Sequence, residues 1–152
     1  MLFHAPVLLK KIETAEVVYK NGYLHIPAQA FEDLAFTAFR DVSHLLRSGH
    51  LSQIRAIFDD PDSAPNERFA ALEFLKNADI ASGMVLPLCQ DTGTAIVIGE
   101  KGHTVLTDGT ESEALARGIK KAYTSLNLRY SQNIPLSLSL IHISEPTRRV
   151  VI

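Results

Sequence analysis

Between Pro27 and Gly83 apolar residues return at helical spacing through three successive stretches, separated by breaks too short to hold other structure. Pro27 opens the first, expected to run to about Ser48, with Phe31, Leu34, Ala35, Ala38, Val42 and Leu45 forming one apolar stripe. Gly49 is expected to end it. A shorter helix, about His50 to Phe58, carries Leu51, Ile54 and Ile57 on one face. Asp59-Asp60-Pro61-Asp62-Ser63 makes a turn, and Pro65 suits the first turn of a third helix. That helix is expected to reach about Ala81 with Phe69, Leu72, Leu75 and Ala78 inward, and Gly83 to stop it. The three helices deliver the chain to Leu86-Pro87-Leu88-Cys89-Gln90-Asp91-Thr92-Gly93-Thr94, which holds the single cysteine. Apolar runs on either side, Met84 to Leu88 and Ala95 to Ile98, would fix that segment against a core.

Before the helices, residues 1–15 read as a loose lead-in. Glu16 to Lys20 and Tyr23 to Ile26 then form a hairpin around Asn21-Gly22, a pair that supplies the positive φ angles of a type I′ turn. After Gly93 the β-branched run Thr94 to Ile98 is short enough for a buried strand. His103 to Thr107 reads as a second strand, and Asp108-Gly109 as a turn. Thr110 and Glu113 have capping-box spacing, ahead of a helix to about Leu126 that places Ala114, Leu115, Gly118, Ile119, Ala122 and Leu126 on one side. Gly118 in mid-helix costs roughly 1 kcal/mol against Ala, which implies close packing there. The fold class is therefore α+β: amphipathic helices leading into a small β-sheet.

Composition bounds the function. The 152 residues carry a net charge of −2, which gives neither nucleic acid nor an anionic membrane surface the concentrated basic face it needs. The apolar runs fall well short of the ~20 residues of a spanning helix. The lysines near the N-terminus follow the apolar residues, unlike a secretory signal. One cysteine makes no internal disulfide, so a reducing compartment, the cytoplasm by default, is expected.

Chemistry alone leaves Cys89 three roles. A lone cysteine between apolar runs can be an inert, buried small hydrophobe. A nucleophilic thiol would want a neighbouring base or helix N-terminus, and no histidine or lysine adjoins it. A metal ligand would need partners, because zinc sites draw several cysteines or histidines from tight spacing and a [4Fe–4S] cluster takes three or four thiolates.

The segment Leu86 to Ala95 resembles the signature of the class I, iron–sulfur-dependent fumarate hydratases. Phe69 to Ile80 is similar to the helix that precedes it in that family, and Ala114 to Gly118 and Leu128 to Asn133 to segments that follow it. The resemblance covers roughly residues 3–136. It implies the incomplete N-terminal domain of a larger two-domain enzyme, with Cys89 as the first of three cysteines on a [4Fe–4S] cluster. By the same resemblance Gln90 and Asp91 line the substrate pocket and Arg129 grips a carboxylate of a small dicarboxylate, fumarate or L-malate. Without it, Arg129 reads as a surface residue ending a helix and Asp91 as a turn residue. The general base and the other two thiolates are expected in sequence beyond this chain, and the parent is expected to be a homodimer. L-tartrate dehydratase subunits resemble the same motif and are the alternative within this chemistry. A noncatalytic helical binding module with a structural cysteine is the alternative outside it.

Leu138 to Arg148 is similar to the conceptual translation of a transposase-type sequencing adapter. Residues 1–137 are accordingly expected to be the N-terminal part of the cluster-binding domain and 138–152 an artefactual tail. So incomplete a domain is expected to leave apolar faces of the 110–126 helix and of the 94–107 strands uncovered.

Overall fold

A computed structural model describes residues 12, 14–89 and 95–129, together with the backbone of 133–134 and 139–140. Val18–Lys20 (β1) and Tyr23–His25 (β2) pair antiparallel with Lys20 opposite Tyr23, so the loop is Asn21-Gly22 alone. Asn21 (φ 55°) and Gly22 (φ 81°) both take the left-handed conformation the turn requires. Four helices are described: Ala28–His44 (α1), Ser48–Asp59 (α2), Pro65–Ser82 (α3) and Glu111–Ser125 (α4). Val105–Leu106 (β3) lies parallel to β2, Leu24 opposite Val105, and completes a sheet of order β1-β2-β3. Asn133–Ile134 (β4) and Ser139–Leu140 (β5) pair antiparallel, so the adapter-like segment contributes a strand.

The helices pack as two pairs, α1 on α4 and α2 on α3, joined by a smaller α1–α3 contact. At its closest approach the α1–α4 seam is built from small residues, and elsewhere along it the rings of Phe39 and Tyr123 meet with centroids 6.3 Å apart. Ala30, Ala35, Ala114, Gly118 and Ala122 are buried, and a Cβ added at Gly118 would stand 2.8 Å from Ala35 Cβ. The close packing expected at Gly118 is what the structure shows. Arg117 and Glu32 join the same two helices by an ion pair of 3.1 Å. Between the pairs, Ala78, Ala81 and Leu88 form a buried cluster against which Leu46 and Leu51 pack.

Several sequence expectations give way here. α1 stops at His44, four residues early, and Leu45 is extended (φ −119°, ψ 133°). Leu46 is drawn into the Ala78–Leu88 cluster instead of continuing the helix. Gly49 is no stop signal, since it lies in the first turn of α2. Only part of the expected α1 stripe is covered: Ala35 is buried and Phe31 half-buried, whereas Leu34, Ala38, Val42 and Leu45 are exposed, and Ala30, Ser43 and His44 from outside the stripe are buried. This helix is apolar on two sides, and α4 covers the side that carries Glu32, Ala35 and Phe39, with Ala35 at the closest approach. Phe69 is 66% exposed, and α3 buries Ala71, Ala78 and Ala81 in its place. Met84, Val85 and Leu86 are also exposed, so Leu88 alone of that run anchors the cysteine segment.

The expected strand before Ile98 is not a ladder strand across its described residues, 95–98. Ile98 makes one isolated bridge, and exposure alternates along the run: Ala95 and Val97 half-buried, Ile96 and Ile98 72% and 80% exposed. That is the period of an extended segment with one open face. The apolar side of α4, by contrast, is covered by α1 and not left open. The Thr110–Glu113 capping box does not form. Asp108 Oδ1 accepts both the Thr110 N–H (3.1 Å) and the Thr110 hydroxyl (2.7 Å), which turns the hydroxyl toward Asp108, and it makes no cap bond to the first turn of α4.

Candidate functional site

Cys89 follows the buried Leu88 and is itself exposed. Two helices hold the backbone at this point. The last carbonyls of α1 lack intrahelical partners, as at any helix end, and that of Ser43 accepts the Leu88 N–H at 2.8 Å. One residue later the Cys89 N–H donates to Asn77 Oδ1 of α3 at 2.9 Å. His44, beside Ser43, is 1% exposed and donates from Nδ1 to the Arg40 carbonyl at 2.8 Å, which leaves Nε2 as the bare ring nitrogen. Within the described residues the chain buries Leu88 and leaves Cys89 exposed, unlike the buried small hydrophobe that one reading expects.

Gln90 and Asp91 lie outside the described residues. Arg129 is exposed just beyond α4, after Asn127 in a left-handed conformation (φ 54°) and the buried Leu128. Cys89 is thus tied to α1 and α3, whereas Arg129 is carried on the segment that leaves α4. Among the described residues no three His, Cys, Asp or Glu side chains converge as a metal site, and no helix is long and apolar enough to cross a membrane.

Sequence reasoning missed a polar cluster at the start of α4. The buried Glu111 accepts a hydrogen bond from Lys101 Nζ at 2.7 Å and another from the Thr107 hydroxyl. These bonds, Lys101 first, hold its carboxyl down at about 2. The cluster pins the segment that follows the cysteine loop to the first turn of α4, where a carboxylate also suits the helix dipole. An acidic residue just inside a helix start was the available signal. Asn77 was missed as well, though an asparagine in the interior of a long helix invites the question of its partner.

The sequence pattern of the fumarate hydratase (Fumerase) family matches residues 32–139. The chain belongs to this family. It is 51% identical over 115 residues to the mitochondrial fumarate hydratase 1 of Leishmania major, covering 76% of this chain and 21% of that protein. To the aerobic and anaerobic class I fumarate hydratases of Escherichia coli it is 42% and 46% identical, in each case over 90% of this chain and 27% of the relative. The chain therefore spans only about a fifth to a quarter of the length of these fumarate hydratases.

Proposed function

We propose that this chain is the N-terminal, cluster-binding part of a hydro-lyase that reversibly hydrates fumarate to L-malate. The observation that carries the reading is the presentation of Cys89, exposed while the amides of Leu88 and Cys89 are held by two helices. An exposed thiol on an anchored backbone fits one ligand position of a [4Fe–4S] cluster. Such a cluster takes three or four thiolates, and this chain has one cysteine, so the others are proposed to come from sequence that the longer relatives carry. When bound, the cluster supplies a Lewis acid for the departing or arriving hydroxyl.

The chain's own contribution is positioning. Arg129, exposed past α4, is proposed to grip one substrate carboxylate, because guanidinium offers a planar, permanently charged fork. Gln90 and Asp91 are proposed to line the same pocket. A general base elsewhere in the parent, proposed to act as a homodimer, takes the proton from the adjacent carbon. The reducing environment that an exposed thiol needs is met in a cytoplasm or in a mitochondrial matrix, and one relative is named mitochondrial. Fumarate is favoured over tartrate because the relatives are named fumarate hydratases. The family match ends at residue 139, next to the start of the adapter-like run, and supports treating 138–152 as foreign to the domain.

The test is anaerobic reconstitution of the full-length protein with iron and sulfide. Broad visible charge-transfer absorbance and water addition to fumarate are expected, and Cys89→Ser is expected to abolish both. A noncatalytic module would show neither, and a Cys89→Ser protein with wild-type cluster content would sink the ligand assignment.

A further inference from the structure

We infer that Asn77 is a positioning residue for Cys89, its side-chain carbonyl fixing the amide from which the thiol is presented; this rests on the reading of Cys89 as a cluster ligand. The bond is 2.9 Å long and joins α3 to a residue twelve positions further along the chain. Asn77 sits in the interior of α3, between Leu75 and the buried Ala78, and is itself half-buried. Asparagine is a poor choice for a helix interior, because its amide competes with the backbone for hydrogen bonds. Here the amide oxygen serves a loop backbone instead.

The neighbouring bond gives this one its force. Leu88 N–H is held by the Ser43 carbonyl at 2.8 Å, and the Leu88 side chain is buried against Ala78 and Ala81. Holding two successive amides from two different helices fixes both backbone dihedrals of Leu88. What remains free at Cys89 is its own φ, ψ and χ1. The Ser43 acceptor is backbone and survives any substitution there, so Asn77 is the part of this clamp that a side-chain change can remove. The bond also has a chemical consequence. An amide directed at Asn77 is not directed at sulfur, and hydrogen bonds to cluster sulfurs are among the groups that set a cluster's reduction potential. Asn77 thus orients the thiol and keeps one donor away from it.

The experiment uses the full-length protein, reconstituted anaerobically, as wild type, Asn77→Ala and Asn77→Asp. Wild-type protein that takes up no cluster would overturn the ligand reading itself, independently of Asn77. Given a loaded wild type, Asn77→Ala is expected to lose iron to a chromogenic chelator about fivefold faster, the change set by one hydrogen bond of ordinary net strength. Its cluster midpoint potential is expected to move upward as the freed amide turns toward sulfur. Asn77→Asp keeps an acceptor oxygen in place and is expected to restore the release rate to within about twofold of wild type. Release from Asn77→Ala at the wild-type rate, or from Asn77→Asp as fast as from Asn77→Ala, would overturn the proposal. Should Asn77→Ala fail to fold, amide hydrogen exchange on the wild type decides. The Cys89 amide is expected to exchange at least about tenfold more slowly than an unstructured one, and exchange at the free rate would overturn it.

Discussion

Gly118 is buried on α4 where that helix meets α1, and a methyl group there has no space to enter. A Cβ would stand 2.8 Å from Ala35 Cβ and closer still to the Glu32 carbonyl oxygen, against an ordinary carbon–carbon contact of about 3.5–4.0 Å. One obstacle is backbone and the other is the first side-chain atom of α1, so no rotamer change relieves either. The helices must part by about 1 Å to reach normal contact. Parting them loosens a seam of buried alanines and stretches the Arg117–Glu32 pair. Overpacking of this kind costs about 1–3 kcal/mol, with the backbone obstacle placing it at the upper end, and the better helix propensity of alanine returns roughly 1 kcal/mol. A net loss of about 2 kcal/mol follows, which lowers the melting midpoint of a domain of 150–250 residues by roughly 4–8 °C. Gly49→Ala is the control, since nothing lies within 4 Å of a Cβ there. In the first turn of α2 it is expected to be neutral or stabilising by up to about 1 kcal/mol. Calorimetry of full-length protein carrying each substitution reads both. A Gly118→Ala protein that melts at or above wild type, or two substitutions of the same sign, would refute the packing argument.

Acid stability should report on Glu111. Its carboxyl is held at about 2 against an ordinary 4.5, so its contribution is complete above the ordinary value and is lost as pH falls through about 2. Lys101→Met is expected to raise that carboxyl and move the loss toward the ordinary carboxylate range. Melting midpoints on an acid series check this, and superimposable acid limbs would count against it. On the function proposed above, Arg129→Ala is expected to raise KM for both fumarate and malate at least roughly tenfold, since charge-assisted bonds are worth about 1.5–3 kcal/mol. Steady-state kinetics that show less than about a twofold change would remove Arg129 from the carboxylate grip. Gly22→Ala places a Cβ at φ 81° and is expected to cost about 1 kcal/mol. Faster exchange of the Leu24 amide, which is bonded to the Thr104 carbonyl at 2.9 Å, would accompany it.

The elements legible in the sequence are those whose cause is local. Asn21-Gly22 dictates a two-residue hairpin wherever it stands between β-rich runs, and Gly118 in a good helical pattern announces a close neighbour. Helix existence follows from apolar period for the same reason. Which face is buried does not, because a period describes the helix and not what covers it. α1 has apolar residues on two sides, and the choice between them is made by α4, whose Gly118 admits Ala35 at close range and whose Tyr123 meets Phe39. The end of α1 is decided in the same way by Leu46 and by the Leu88 amide, both of them tertiary. The site divides along the same line: Cys89 is visible because it is unique, whereas Asn77 and the Lys101–Thr107–Glu111 cluster act across gaps that no local rule spans.

The exposed apolar residues carry the argument one step further. Val85 and Leu86 stand just before Cys89, and Ile96 and Ile98 shortly after it, all of them exposed. The alternation through 95–98 is that of a strand with one face still open. Large apolar side chains collected on both sides of an exposed thiol mark surface that is meant to be covered. On the function proposed above, the covering sequence brings the remaining thiolates to the same place, so the hydrophobic contact and the cluster site would form together. In the full-length protein, the amides of Val97 and Ile98 should then be protected from exchange, and removal of the cluster should raise their exchange rates ahead of those in α1 and α4. Protection confined to the α1–α4 pair, with 95–98 exchanging freely in the loaded protein, would break that connection.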